Sequence, residues 1–433
     1  MVAVIVISLI TVLATAALAL FEPKLHPGHP SMRIYWAAPL FGALVLIFGG
    51  WMPLGEAFSG LLADSAVNPV KILVLFFSMT LMSVFLDEVG FFRYLAGAVL
   101  HRAGSSQKKL FVFLYLVVSV LTVFTSNDIV VLTFTPFICY FAKNAKIDPV
   151  PYLFCEFVAA NTWSMALIIG NPTNIYLAAG NGVDFAAYLG VMWLPTMLAG
   201  VTSFALLWLL FYRKLREPMT VTAAPAQIPT DKPTTCLGLF ALGACIVLLV
   251  LSSYLDFDMW MIAMDACFAL YLVAIPELLV RRRSMGPVTR SFHRAPYDVI
   301  PFVLSMFVIV MALGRVGATA AMGELILGDG ELWKSGVTSF LAANLLNNIP
   351  MSVLYSTVVT AGGAASMPAL YAAVIGSNIG AFFTPMGALA GIMWMALLKQ
   401  HRVSVSFGRF VLYGAVLSIP TLLAALGGLA IIL

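Results

Sequence analysis

The chain has 433 residues, of which 62% are apolar and 10% charged, and its mean hydropathy is +1.01. A soluble chain carries about a quarter charged residues to solvate its surface, so a water-soluble enzyme is excluded. The net charge of +4 resides in basic loops between apolar runs, which is not the footprint of a nucleic-acid binder.

In chain order, hydropathy places spans at 2–20, 34–51, 70–87, 150–179, 186–212, 236–255, 259–279, 297–314, 367–398 and 403–432. Runs near 20 residues match a hydrocarbon core about 30 Å thick, so the expected class is an all-α polytopic protein of about ten spanning helices. No Lys or Arg precedes Val2–Leu20, so this run reads as a retained span rather than a secretory signal. Two further stretches, 110–142 and 335–361, are apolar but interrupted by polar clusters.

The basic loops carry His101, Arg102, Lys108 and Lys109, then Lys143 and Lys146, then Arg213, Lys214 and Arg216. Arg281–Arg283 with Arg290 and Arg294, and Lys399 with His401 and Arg402, complete the set. Placing them all inside makes 110–142 a re-entrant hairpin from the cytoplasmic face and 335–361 a hairpin from the outer face. A pair of short ordinary spans in place of each hairpin is the alternative. With hairpins, both termini lie outside, consistent with Lys24 and Arg33 following the first span.

The two halves resemble each other. Val89-Gly90 matches Val316-Gly317, Ser126-Asn127-Asp128 matches Leu346-Asn347-Asn348, and Asn161 and Asn378 each stand nine residues before a glycine, Gly170 and Gly387. FAAYLGVMWLP (Phe185 to Pro195) matches FVLYGAVLSIP (Phe410 to Pro420). The matches fall in one order, and an odd number of spans separates them, so the expectation is two inverted-topology repeats with two re-entrant hairpins and two broken helices. The expected organisation is N-terminal helices at 1–69, a first repeat at 70–212, a cytoplasmic linker at 213–235, linking helices and a basic loop at 236–296, and a second repeat at 297–433.

An interrupted helix in a bilayer needs protein or a water-filled cavity around it, so the polar breaks are the site candidates. They are Ser126, Asn127 and Asp128 at the first tip, Asn171, Thr173 and Asn174 in the first break, Asn347 and Asn348 at the second tip, and Thr384 in the second break, with Asn161 and Asn378 ahead of the breaks. Gly170 and Gly387 are expected to permit unusual turns. Free amides at such tips suit an anionic or hydroxylated solute, and free carbonyls suit a cation; sodium is expected near Asn127, Asp128 and Asn171. Asp128 and Glu156 are the proton-coupling candidates, Glu156 being placed near the cytoplasmic interface where water reaches it. Asp265 belongs to the unrepeated linking helices. Asp87-Glu88 and Arg315 occupy equivalent span ends, where pairing would fix topology. Cys139, Cys155, Cys236, Cys245 and Cys267 read as packers inside helices. No catalytic motif and no metal-spaced His or Cys pair is present in the sequence, so no cofactor beyond a coupling ion, H⁺ or Na⁺, is expected.

LDEVGFF (Leu86 to Phe92), SND (Ser126 to Asp128), RAPYDVIPFVLSM (Arg294 to Met306), NNIP (Asn347 to Pro350) and TPMG (Thr384 to Gly387) resemble the ion-transporter superfamily, nearest to its arsenical pump membrane proteins. The resemblance implies proton-coupled export of arsenite or antimonite across a bacterial inner membrane. It also implies a homodimer and a soluble ATPase as candidate partners beside the lipid bilayer. Asn161 and Asn378 replace the Asp of the pumps, and GNPTN (Gly170 to Asn174) looks more like the sodium-coupled anion and sodium/proton antiporter branches. The alternative is therefore Na⁺- or H⁺-coupled movement of an inorganic or carboxylate anion, or sodium/proton antiport. A membrane enzyme or a receptor is the remote alternative.

Overall fold

The computed structural model describes residues 1–21, 34–63, 68–219, 231–255 and 257–433, and these form helices with no strand. Lys24 and Arg33, on which the outside placement of the amino terminus leaned, and residues 220–230 of the expected linker lie outside the described residues.

Helix α1 (Val2–Phe21) leads to two short helices, α2 (Ala37–Phe48) and α3 (Leu54–Leu62). Then comes α4 (Pro69–Glu88), started by Asn68, whose side chain accepts from the amides of Val70 and Lys71. α5 (Phe91–Ala103), α6 (Gln107–Phe124), α7 (Asn127–Ala145) and α8 (Val150–Trp163) follow. Two 3₁₀ turns separate α8 from the short α9 (Pro172–Leu177), and α10 (Phe185–Phe211) closes the first half. α11 (Lys232–Leu255), α12 (Met259–Val280) and α13 (Gly286–His293) link to the second half. That half comprises α14 (Val299–Arg315), α15 (Ala318–Ile326), α16 (Glu331–Leu346), α17 (Asn348–Val358), α18 (Met367–Gly380), α19 (Leu389–Gln400) and α20 (Phe407–Ile432).

Six helices among the described residues, α4, α6, α10, α11, α12 and α20, are each long and apolar enough to cross a membrane. α14 and α15 pass only together, and they are bent by 81°. The bend falls at Val316-Gly317, where Gly317 has φ +77; Gly90, its counterpart between α4 and α5, has φ +89. Both are left-handed positions where a Cβ costs energy, which is why the two matched dipeptides end in glycine. The hydropathy span 2–20 is the single helix α1, and the others are built from shorter or broken pieces.

Hydrogen bonds show where each interrupted hairpin begins and ends. At the start of α6, Gln107 Nε2 donates to the Glu217 carbonyl at 3.0 Å and Tyr152 Oη donates to Gln107 Oε1 at 2.7 Å, while Lys214 pairs with Asp148 beyond the end of α7. The chain thus leaves and returns at one place. In the second half, Ser366 Oγ donates to Glu331 Oε1 at 2.7 Å and Ser335 Oγ to the Ala369 carbonyl at 2.6 Å, so α16 and α17 also return to their origin.

α10 and α20 fix the relation between the two bases. Phe211 meets Tyr413 edge to face with ring centroids 5.6 Å apart, whereas Gly428 lies against Pro195, so the two helices run antiparallel. The first base sits just beyond the C-terminal end of α10. The second sits at the other end of the pair, with Gly336 of α16 against Leu426 of α20. The two hairpins therefore enter from opposite ends.

Ion pairs hold the linking segment. Arg290 and Arg294 bond Glu88 at 2.5 Å each, and Arg294 also bonds Asp87 at 2.7 Å. Burial opposes the charge of Arg294, but Asp87 and Glu88 outweigh it and hold the guanidinium above its ordinary pKa. Arg315 instead pairs with Glu56 of α3, a helix that hydropathy did not expose. The equivalence of Asp87-Glu88 with Arg315 is thus positional only, because each meets a different partner. Four cysteines are buried as expected, and Cys236 is exposed.

Candidate functional site

The first tip is built by ending one helix and starting another within two extended residues. Thr125 Oγ1 donates to the Leu121 carbonyl at 2.7 Å, Thr125 and Ser126 are extended, and Asn127 opens α7. Asn127 is buried, and its Nδ2 donates to Asn161 Oδ1 at 3.1 Å. Its Oδ1 is buried without a hydrogen-bond partner. Asp128 is half-buried in the first turn of α7, where the helix dipole favours an acid.

At the first break α8 stops at Trp163, and its freed carbonyls are taken up by side chains. Asn174 Nδ2 donates to the carbonyls of Ser164 and Leu167 at 2.8 and 3.0 Å. Asn171 caps α9 by accepting from the Thr173 amide at 3.2 Å, with Pro172 at the first helical position. Thr173 is buried, and its Oγ1 makes no hydrogen bond.

Asn378 of α18 reaches into this break from the other half. Its Oδ1 accepts from Ser164 Oγ at 2.8 Å and from Asn171 Nδ2 at 2.9 Å. Its Nδ2 donates to Asn174 Oδ1 at 2.7 Å and to the Val374 carbonyl at 2.8 Å. The two donors and two acceptor sites of this amide are all used. Ser164 Oγ also lies 2.9 Å from the Asn161 carbonyl, and its single proton serves either that carbonyl or Asn378 Oδ1; neighbouring contacts thus connect Asn127, Asn161, Ser164, Asn378, Asn171 and Asn174.

The second break forms a separate group. Asn347 has φ +79 and ψ 153, a backbone region that only glycine adopts without strain, and its Nδ2 donates to the Met386 carbonyl at 3.2 Å. The Asn348 amide donates to the Gly387 carbonyl at 3.1 Å. Asn344, one turn before the tip, accepts from Thr384 N and Oγ1 at 3.1 and 2.7 Å and donates to the carbonyls of Phe340 and Gly380. Asn344 and Ser164 escaped the sequence reading. Each is a polar residue in an apolar helix within four positions of a named asparagine, which is the signal that marks it.

Several expectations are corrected. Gly170 and Gly387 lie outside the left-handed region; a Cβ at either would stand 2.3 Å from a backbone oxygen, of Ser164 and Gly380 respectively, so close approach is what requires them. Glu156 is fully buried rather than interfacial. Thr135 Oγ1 lies 3.0 and 3.1 Å from its two carboxyl oxygens, and no ion pair reaches it among the described residues. Asp265 lies on the exposed side of α12, away from both breaks. Among the described residues, no group of three or more His, Cys, Asp or Glu is placed to hold a metal ion.

Two interrupted hairpins and two broken helices, with polar side chains joined across the halves, describe a transporter core. The family model for citrate transporters matches residues 16–371. The chain belongs to that family. It is 26% identical over 437 residues to an arsenical pump membrane protein of Escherichia coli, covering 96% of each chain. It is 25% identical over 409 residues to a putative arsenical pump membrane protein of Bacillus subtilis, covering 86% of this chain and 88% of the other. Among solved structures it shares the fold of the YdaH transporter of Alcanivorax borkumensis, with a TM-score of 0.55 at 15% identity over 99% of this chain and 96% of that one. The protein is a multi-pass integral membrane transporter of this type.

Proposed function

We propose that the protein exports a small uncharged hydroxylated solute, arsenite or antimonite, in exchange for protons. The supporting observation is the chemistry of the chain linking the halves: Asn127, Asn161, Ser164, Asn171, Asn174 and Asn378 offer amides and a hydroxyl and no cationic side chain. Asn127 Oδ1 at the first tip and Thr173 Oγ1 in the first break are buried without partners, so a neutral trihydroxide can bond them without leaving a buried charge unpaired. Hairpins entering from opposite ends support an inverted-repeat core with alternating access, in which Asn378 joins the halves in the state described. Glu156 and Asp128 are the proton carriers in this reading. A buried carboxyl beside Thr135, with no cation against it, changes the balance between two packings each time it gains or loses a proton.

The test is arsenite accumulation in an arsenic-sensitive bacterial host carrying empty vector, wild type, Asp128→Asn or Glu156→Gln at matched expression. Wild type is expected to lower accumulation, and each carboxyl variant to lose that effect. Accumulation equal to the vector in wild-type cells overturns the export reading. The second reading, cation-coupled transport of a carboxylate such as citrate, is favoured by the family model itself. Sodium- or proton-driven citrate uptake into proteoliposomes, with no arsenite movement, decides for it.

A further inference from the structure

A cavity of about 470 Å³ lies beside the first hairpin tip, between the end of α4, α5, α6 and α11. Its walls are Leu86, Phe92, Leu121, Leu242 and neighbouring apolar side chains, and the single hydroxyl in the lining, Thr125 Oγ1, is spent on the Leu121 carbonyl. Polar solutes find no partner there. Val120 and Phe124 at its rim are 59% and 42% exposed, which opens the cavity towards the surface that α6 and α11 present to lipid.

Charge at the rim is uneven. Asp87 and Glu88, next to Leu86, are engaged by Arg290 and Arg294. Arg93, on α5 between the lining residues Phe92 and Leu95, is exposed and makes no ion pair among the described residues. An apolar slot of acyl-chain dimensions with one unmatched guanidinium within a helical turn fits one class of ligand. We infer that this crevice holds an acyl chain of an anionic phospholipid, with its headgroup drawn to Arg93. The chain lies against Thr125, two residues from the Asn127 amide that bonds Asn161, so movement of the first hairpin has to displace or carry it.

Gly243 of α11 lines the crevice, and a Cβ there meets nothing within 4 Å. Gly243→Leu therefore narrows the crevice from a position whose Cβ meets no other atom, and replaces a poor helix former by a good one. The experiment uses the full chain in liposomes containing phosphatidylglycerol with a diazirine on its acyl chain, followed by irradiation and peptide mapping. Label is expected on peptides spanning 86–95, 120–125 and 239–246, and Gly243→Leu is expected to lower it about tenfold. Label on the outward face of α20, at Leu412 and Val416, is expected to stay unchanged. Arg93→Gln is expected to reduce labelling by phosphatidylglycerol and not by the matching phosphatidylcholine probe. Should Gly243→Leu fail to yield monodisperse protein, Val120→Trp blocks the rim instead. Equal labelling in wild type and the filled variant, or label spread evenly over outward-facing helices, overturns the proposal. So does an unlabelled crevice in which two chains cross-link through Val120→Cys, an outcome that assigns it to a second copy.

Discussion

The two hairpin tips share a sequence pattern and differ in how they are fastened. The second tip is stapled to its own broken helix: the Asn348 amide bonds the Gly387 carbonyl, Asn347 bonds Met386, and Asn344 holds both the amide and the hydroxyl of Thr384. At the first tip the Asn127 side chain bonds Asn161 and leaves its Oδ1 buried without a partner. Asn378 bonds the opposite break instead of its own tip. The second unit is thus fastened at its own tip and also packs on the first, through Asn378 at the first break, through Ser356 to Asn181, and through α20 along α10, while the first tip keeps a buried acceptor, Asn127 Oδ1, to spare for a solute.

Asn378→Ala tests this most severely. It strands Asn171 Nδ2 and Asn174 Oδ1 in a buried site, at about 1–3 kcal/mol each. The joined state is expected to become roughly a hundredfold less populated if the combined cost is about 3 kcal/mol. Transport rates in proteoliposomes are expected to collapse accordingly, while Asn347→Ala retains most of its activity. Equal losses in the two variants would remove the asymmetry on which the comparison stands.

Gly170→Ala and Gly387→Ala probe what the two breaks have in common. Each added methyl meets a backbone oxygen at 2.3 Å, which cannot swing aside as a flexible side chain can. Both are expected to cost about 1–3 kcal/mol, read as lower thermal unfolding midpoints of similar size in detergent. A large fall in one alone would mean that the backbone around the other break relaxes.

Much of this organisation was legible in the sequence, and the reasons differ by feature. Polar residues inside apolar runs are rare and costly, so SND, GNPTN, NNIP and TPMG stand out; the first three each restart a helix, and TPMG lies in the gap between α18 and α19. Val89-Gly90 and Val316-Gly317 were readable because a left-handed turn needs glycine. The bonding partners were not readable. Asn161 and Asn378 are equivalent in spacing, yet one bonds within its half and the other across, a choice made by the packing of α18 against α9. Glu156 was placed near water because the hairpin base is close in sequence, but proximity along the chain says nothing of the side chains of α7 and α19 that close over it.

Asn344→Ala should separate clamp from site. Four hydrogen bonds vanish, leaving the Thr384 amide and the Gly380 carbonyl to be satisfied elsewhere, with an expected cost of about 2 kcal/mol. Asn127→Ala removes one amide pair and also deletes a buried oxygen that had no partner, so its expected cost is under about 1 kcal/mol. Thermal melts of the two variants side by side give the order. Reversal of that order would mean that the first tip carries the greater share of stability.

The smallest expected effect lies at the hairpin bases. Lys214 and Asp148 form an ion pair at the first base, with side chains 42% and 32% exposed, whereas Ser366 bonds Glu331 at the second. Exposed ion pairs are worth about 0–1 kcal/mol, because solvent screens the attraction and ordering two side chains costs entropy. Asp148→Asn is therefore expected to shift the melt by less than the Asn344 variant does, and the shift should shrink further as ionic strength rises to about 1 M. Gln107 would still hold Glu217 and Tyr152, so the base stays closed when the charge is gone. A loss that is large and insensitive to salt would show that the ion pair, rather than the Gln107 bonds, fastens the first hairpin. The difference between the two units would then begin at their bases and not at their tips.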